Sequence, residues 1–459
     1  MITDSKRDLF ERTPVPKALA SMAIPTIISQ IISLVYNMVD AFYIGRTGNS
    51  YMIAATTLTL TLILLNIAFA NLFGVGGGSL IARLMGAQKP EEARKVSAFS
   101  FYGGVAIALV YSVLIGIFLD PFLTLLGASA DTIGYARQYT VYVIVIGALP
   151  AILSAVIAHL LRNVGCAKQA SIGLSGGGIL NIILDPLFMF VILPDGYEVT
   201  GAAIATLLSN VFACGYLIYA YRKAGKTAPL SMRPKDALQI GRENRKNLFA
   251  VGIPSAILTG LFDVANIILN ILAAAHNDLV LAGMGIVIKI DRIPNAINIG
   301  ICQGMLPLVA YNYSAGNRER MQQTLRTAQL WGMIVSIGSI VLLELLAVPT
   351  TKLFLSTAAE DPSSALITLG FAAVFLRIRC LAAPAQLLNY SSSYTLQAMG
   401  DGKATMLHAV VRELVFYIPL MFLLNHFLGP NGLAAALVVG EALGAAFAIM
   451  LLRHRMKKN

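Results

Sequence analysis

The sequence predicts an all-α integral membrane protein, with twelve transmembrane helices in two six-helix lobes. Three observations lead there. The first is composition. Of 459 residues, 57% are hydrophobic and 12% charged, and the mean hydropathy is +0.73. Soluble chains run nearer to about 45–50% apolar and about 25% charged. The surplus is too large for a water-soluble core to hide, so lipid must be the solvent for most of the chain. The second is the recurrence of apolar stretches of about 20 residues, each long enough to cross a bilayer as a helix. The third is an internal repeat.

The spans fall at 18–44, 52–82, 96–119, 134–158, 169–193, 200–221, 248–274, 280–310, 327–348, 364–389, 404–425 and 431–452. Residues 1–17 are polar, and no small-residue cleavage site follows the first apolar run, so it is read as a retained span and not a signal peptide. The formal net charge of +11 could indicate a nucleic-acid partner, but its placement argues for topology instead. Basic residues gather in alternate loops: Lys6, Arg7, Arg12 and Lys17; Arg83, Lys89, Arg94 and Lys95; Arg162 and Lys168; and eight more within 222–246. The intervening loops hold Arg46, Arg137 and Lys352. Positive loops stay inside, so both termini are expected in the cytoplasm. Cys166, Cys214, Cys302 and Cys380 have neither zinc-site nor disulfide-framework spacing.

The repeat appears in Ile24-Pro25 and Asn37 of the first span, which match Ile253-Pro254 and Asn266 of the seventh. Ala87-Gln88-Lys89 matches Gly316-Asn317-Arg318 at the same offset, and Gly165 and Lys168 echo Gly400 and Lys403. Six spans per copy keep the two copies in one orientation. The lobes are therefore expected at 1–230 and 231–459, joined by the basic loop. Transporters commonly place substrate between such repeats.

Charges inside a membrane are costly and normally face the bundle interior, paired. The second lobe holds Lys289, Arg292, Arg377, Arg379 and Arg412 within its spans, balanced by Asp263, Asp291, Glu344, Glu413 and Glu441. Two readings stand: a neutral network that fixes packing, or a cavity wall that grips a polar or anionic substrate. The first lobe has only Asp40 and Asp185 in its spans, with no clear basic partner there. Asp185 sits in "NIILDPLFMF" beside Pro186. The proline removes a backbone donor and crowds the carbonyl of Ile182, so the helix should kink. Asn181 shares the face of Asp185. Thr206, Tyr139 and, less directly, Tyr36 and Asn37 reach a similar depth. Two unpaired carboxylates among amide and hydroxyl oxygens suit a proton or a hard cation. Pro25 and Pro186 are the expected hinges. The histidines do not cluster, and no catalytic constellation is visible, so neither an enzyme nor a resident metal or cofactor is expected.

At these residues a family becomes visible. "MAIPTIISQIISLVYNMVDAFYIGRTG", "GGGSLIARLMGAQKPEEARK", "NIILDP", "GAAIAT" and "QGMLPLVAYNYSAGNRER" together resemble the multidrug and toxic compound extrusion (MATE) transporters over essentially the whole chain. The resemblance implies a V-shaped fold and cation-driven antiport. Organic, usually cationic, compounds leave as Na+ or H+ enters. It implies coupling residues at Asp40, Asn181, Asp185 and Thr206, with Tyr139 a further counterpart whose register competes with Tyr135 and Tyr142. The branch with coupling acids in its seventh and tenth spans fits less well, because "ITLGFAAVFLRIRCLAAP" carries arginines and no acid. The resemblance is closest to the first-lobe branch. It implies a monomer in the plasma membrane of a prokaryote, with small organic substrates and lipids as its partners. The rival readings are a flippase for a lipid-linked or other anionic amphiphile and, more remotely, a membrane enzyme or receptor.

Overall fold

The computed structural model describes residues 4–354 and 362–458; residues 1–3, 355–361 and 459 of the expected lobes lie outside that range. Helix dominates because lipid offers backbone groups no hydrogen-bond partner, so each segment must satisfy its own. Eleven single helices are long and apolar enough to cross a membrane. They are Val15–Arg46, Ser50–Gly86, Pro90–Ile117, Ala167–Ile192, Glu198–Ala224, Arg242–Ala274, Asp278–Ser314, Arg318–Leu345, Ser363–Cys380, Gly402–Leu428 and Pro430–Lys457. A bent pair, Ile133–Ile146 and Ala148–Asn163, meets at 47° and supplies the fourth span, making twelve among the described residues. Large apolar side chains such as Val110, Val113, Leu114, Ile334, Ile337 and Val341 stay exposed on the third and ninth spans, as expected where lipid is the solvent.

Two spans depart from the sequence reading. The tenth, expected as one helix over 364–389, ends at Cys380 and restarts as Ala383–Met399. Pro384 is the reason: it lacks the donor a helix interior needs and fits only in a first turn. The fourth span, expected at 134–158, breaks at Gly147 after a π-helical stretch, Val141–Ile146. The two breaks occupy equivalent places in the repeat. The loops that follow repeat too, since Gly165 and Gly400 share a φ of 81°, a conformation that favours glycine. Asn49 and Asn277 likewise cap the helices of the second and eighth spans with their side chains.

The lobes meet only in part. One hydrophobic core runs through the first lobe and continues into Ile301, Met305, Leu308, Leu396 and Ala404 of the second. A separate core, including Leu269, Met284, Phe375 and Leu437, fills the rest of the second lobe. Close contacts across the seam cluster at the end that carries the chain termini. A Cβ on Gly304 would stand 2.6 Å from the Cα of Ala23, and one on Gly76 would stand 2.6 Å from the carbonyl oxygen of Leu248. Asn71 donates to Thr259 at 3.0 Å near the middle of the seam. Toward the other end, Ile53 and Leu60 of the second span and Phe262, Ile267 and Ile271 of the seventh are exposed. Helices that pack this tightly through glycine at one end and part at the other form a V.

Gly304→Val adds bulk where backbones touch, at a cost of about 1–3 kcal/mol for overpacking. The distance between spin labels at Lys168 and Arg326 should then lengthen as the joined end is pried open. An unchanged distance would mean that the seam yields without opening.

Two segments strap the joined end. The short helix Asp4–Glu11 precedes the first span yet docks on the second lobe. Phe10 stacks on Tyr311 at 4.8 Å, the Tyr311 hydroxyl donates to Glu11 at 2.6 Å, and Arg320 Nε donates to the Phe10 carbonyl at 2.7 Å. Partial burial works against the ionised Glu11, but the Tyr311 hydroxyl and the Arg7 and Arg12 guanidiniums outweigh it and hold its carboxyl below the usual range. The connection between lobes docks on the first. Its helix Pro234–Leu238 lies by the third span, where Arg94 pairs with Asp236 at 3.4 Å and Tyr102 donates to the Met232 carbonyl at 2.9 Å.

Candidate functional site: an oxygen cluster in the first lobe

The fifth span supplies the centre of the cluster. Asn181 and Asp185 are one turn apart, and Asp185 is fully buried. Asn181 Nδ2 donates to Asp185 Oδ1 at 2.9 Å and reaches Thr206 Oγ1 of the sixth span at 3.4 Å. Pro186 follows directly. With its donor missing, the helix slips into a π-helical stretch at Phe188–Ile192. Such insertions often mark functional positions.

The first span brings Asp40 and Tyr36. Gly178 makes the approach possible, because a Cβ there would stand 3.1 Å from the Tyr36 ring and from Ile32. Asp40 lies within electrostatic range of Asp185, so the two carboxylates repel each other when both are ionised. The phenol of Tyr139, buried on the fourth span, lies in the field of both aspartates, as does that of Tyr36.

Three oxygens of this cluster are buried and have no hydrogen-bond partner: Asp40 Oδ1, Asn181 Oδ1 and Asp185 Oδ2. Buried acceptors are seldom left so. No basic side chain pairs with either carboxylate among the described residues. Nor does any group of three or more His, Cys, Asp or Glu able to hold a metal occur among them. The set is therefore two acids among neutral oxygens, which suits a light, exchangeable cation or a proton better than a transition metal.

The remaining expected residues lie elsewhere. Asn37 is exposed, and its amide donates to the Ser33 carbonyl at 2.6 Å. Pro25 lies in an unbroken helix near the seam, where Ile27 meets Gly300 of the eighth span. In the second lobe, Arg379 Nε pairs with Asp291 at 2.7 Å in a buried site. Arg412 grips Glu441 with both ends of its guanidinium, at 3.0 and 2.6 Å, and stands 3.6 Å from Glu413. Asn389 adds a 2.6 Å bond to Glu441, and the Tyr390 ring lies under Arg412 at 5.2 Å. Arg377 pairs with Glu344 at 3.8 Å in an exposed position. Lys289 and Arg292 are exposed, and Arg292 acts on half-buried Asp263. All these partnerships stay within the second lobe.

Two basic residues read from sequence as loop charges belong to helices. Arg83 ends Ser50–Gly86, and Arg162 ends Ala148–Asn163, where it is 5% exposed. The apolar pattern fades before each, and a cation at the inner end of a span has the same appearance whether it is solvated or buried. Arg162 lies at the seam beside a small cavity lined by His159, Asn163, Val75, Gln303, Leu306 and Tyr394. Only the spacing of His159, Arg162 and Asn163, polar along one helix face, hints at this in the sequence.

Comparison with known proteins places this geometry in context. The MatE family model matches residues 25–187 and 254–423. The multidrug export protein MepA of Staphylococcus aureus (strain MSSA476) is 30% identical over 99% of this chain and 97% of its own length. MepA of Staphylococcus saprophyticus is 29% identical over the same shares. Among solved structures, an outward-facing conformation of a multidrug resistance MATE family transporter of the MOP superfamily superposes with a TM-score of 0.92 at 23% identity, covering 100% of this chain and 99% of that one. A MOP superfamily transporter from Pyrococcus furiosus, described as having a binding pocket of reverse polarity, gives 0.91 at 23% identity, again over 100% and 99%. These two likenesses bear on the fold.

Proposed function

This chain belongs to the MatE family, and on that premise we propose that it is a multidrug efflux antiporter of a prokaryotic plasma membrane. It exports organic compounds, cationic ones foremost, in exchange for Na+ or H+ held by Asp40, Asn181, Asp185 and Thr206. The relatives named as multidrug export proteins, aligned over nearly the full chain, support the efflux half of this reading. One observation carries the coupling half: three buried oxygens without partners, on two carboxylates and an amide, with no basic side chain paired to either carboxylate among the described residues.

The mechanism follows from charge. With the site empty, two carboxylates share a poorly solvated pocket, and desolvation and mutual repulsion disfavour their double ionisation. A proton or Na+ relieves both. Asn181 holds Asp185 oriented by its 2.9 Å bond and ties it to the sixth span through Thr206. Neutralisation therefore changes the interaction among the first, fifth and sixth spans at once. The fifth is already broken into π geometry after Pro186, so it can bend there at low cost. The bend reshapes the first lobe and releases substrate toward the open end of the V. Coupling arises because ion and drug favour different states or compete for one site; affinity without that difference shifts nothing.

Proteoliposomes test this. With ethidium as substrate, a Na+ gradient and a proton gradient are imposed separately at matched ionic strength. Transport above that of protein-free vesicles is expected under one of them, which names the ion. Equal, background-level movement under both would overturn the antiport.

A further inference from the structure

The first lobe contains a buried cation that no acid answers. Arg162 is 5% exposed; its Nη2 reaches Ser29 Oγ at 3.4 Å, and its Nε has no partner. No carboxylate pairs with it among the described residues, and the ionisable groups that interact with it are Tyr394 and His159. Arg379 and Arg412, equally buried, each hold a carboxylate at 2.6–2.7 Å. A guanidinium keeps its charge in proteins, and a buried charge without a counter-charge costs several kcal/mol. The cation site proposed above, at Asp40, Asn181, Asp185 and Thr206, does not include this residue.

The cavity beside Arg162 is built from both lobes. Val75, His159 and Asn163 come from the first, and Gln303, Leu306 and Tyr394 from the second. It has room for a single small ion or water molecule. Gln303 Nε2 faces the Tyr394 hydroxyl at 3.4 Å, leaving Gln303 Oε1 without a partner. Amide orientation is assigned from such networks. Turned over, the amide accepts from the Tyr394 hydroxyl and presents its N–H groups to the cavity. A lone water could satisfy Gln303 Oε1 and Asn163 Oδ1, which both lack a partner, but would leave the charge unanswered.

We propose that this seam cavity binds one small monovalent anion of chloride size, held by Arg162 from the first lobe and by Gln303 from the second. Because its walls come from both lobes, the site exists only while the terminus-bearing end is closed. Anything that binds one state alone stabilises that state. The anion therefore clamps the joined end shut and must leave before it opens.

The test uses the full-length protein in detergent, with Na+ and ionic strength held constant while chloride replaces gluconate, which is too large for the cavity. The thermal unfolding midpoint of the wild type should rise with chloride and saturate. Arg162→Gln should abolish the rise, whereas Arg377→Gln, at an exposed position, should keep it. A flat wild-type response, or an equal rise in Arg162→Gln, would mean the cavity holds water only and would overturn the proposal. If Arg162→Gln does not fold, wild-type crystals soaked in bromide decide the matter. An anomalous peak against Arg162 supports the site, and no peak there overturns it.

Discussion

Asp185→Asn is expected to leave the protein folded and to abolish ion-driven export. The substitution changes volume little. The carbonyl oxygen of the new side chain can still accept from Asn181 Nδ2, which now lies 2.9 Å from Asp185 Oδ1. The new amide replaces Asp185 Oδ2, an oxygen that is buried without a partner, and it can donate toward Asp40. Stability should therefore be kept, and the thermal midpoint is the control. What is lost is one of two charges on which an incoming ion can act. To carry a two-state equilibrium from 1:99 to 99:1, a ligand must favour one state by about 10⁴-fold, or about 5.5 kcal/mol. A site with one carboxylate left, and a neutral donor beside it, has no comparable discrimination. Uphill ethidium export in proteoliposomes should fall to the level of protein-free vesicles under both gradients, while ethidium binding to the detergent-solubilised protein persists. Wild-type export by Asp185→Asn would remove Asp185 from the coupling site. Loss of binding and transport together would make it a drug contact instead.

The sequence disclosed this cluster because each clue was local. A carboxylate beside a proline in an apolar run has no comfortable place in a lipid-facing helix, and Asn181 lies on the same helix face by spacing alone. The repeat was legible for the same reason: Ile24-Pro25 and Ile253-Pro254 are short signals at a constant offset, and twelve spans follow from hydropathy. Long-range pairing was not legible. Arg412 and Glu441 stand on different helices, and nothing in either segment names the other as partner. The break in the tenth span was hidden because 364–389 is apolar on both sides of Pro384. Arg162 was hidden by ambiguity, since topology alone puts cations at inner helix ends. Its burial depends on the second lobe's Gln303 and Tyr394 closing over it, which is a fact of tertiary packing.

The second large effect is expected at Arg412, and it separates the two readings of the second lobe's charges. Arg412 holds Glu441 with two hydrogen bonds, lies 3.6 Å from Glu413 and rests on Tyr390. All three charged side chains are at most 5% exposed. Arg412→Leu leaves two carboxylates buried with no cation, and breaking a buried pair from one side costs about 3–5 kcal/mol. Replacing Arg412 and Glu441 together by apolar residues should recover part of that loss, because one of the two stranded carboxylates leaves with the cation and only Glu413 stays buried without one. Arg377→Leu is the contrast. Its partner Glu344 is 3.8 Å away and the pair is exposed, so the change should stay within about 1 kcal/mol. Thermal unfolding in detergent, ranked across the three variants, reads the outcome. A large drop for Arg412→Leu, its partial recovery in the double variant and little change for Arg377→Leu identify a packing network whose charges are spent on one another. If Arg412→Leu unfolds like Arg377→Leu, the buried charges are not what holds the lobe together. The alternative, a wall that grips substrate, would then be the reading to pursue, beginning with Lys289 and Arg292, which are exposed and stand outside the Arg412 network.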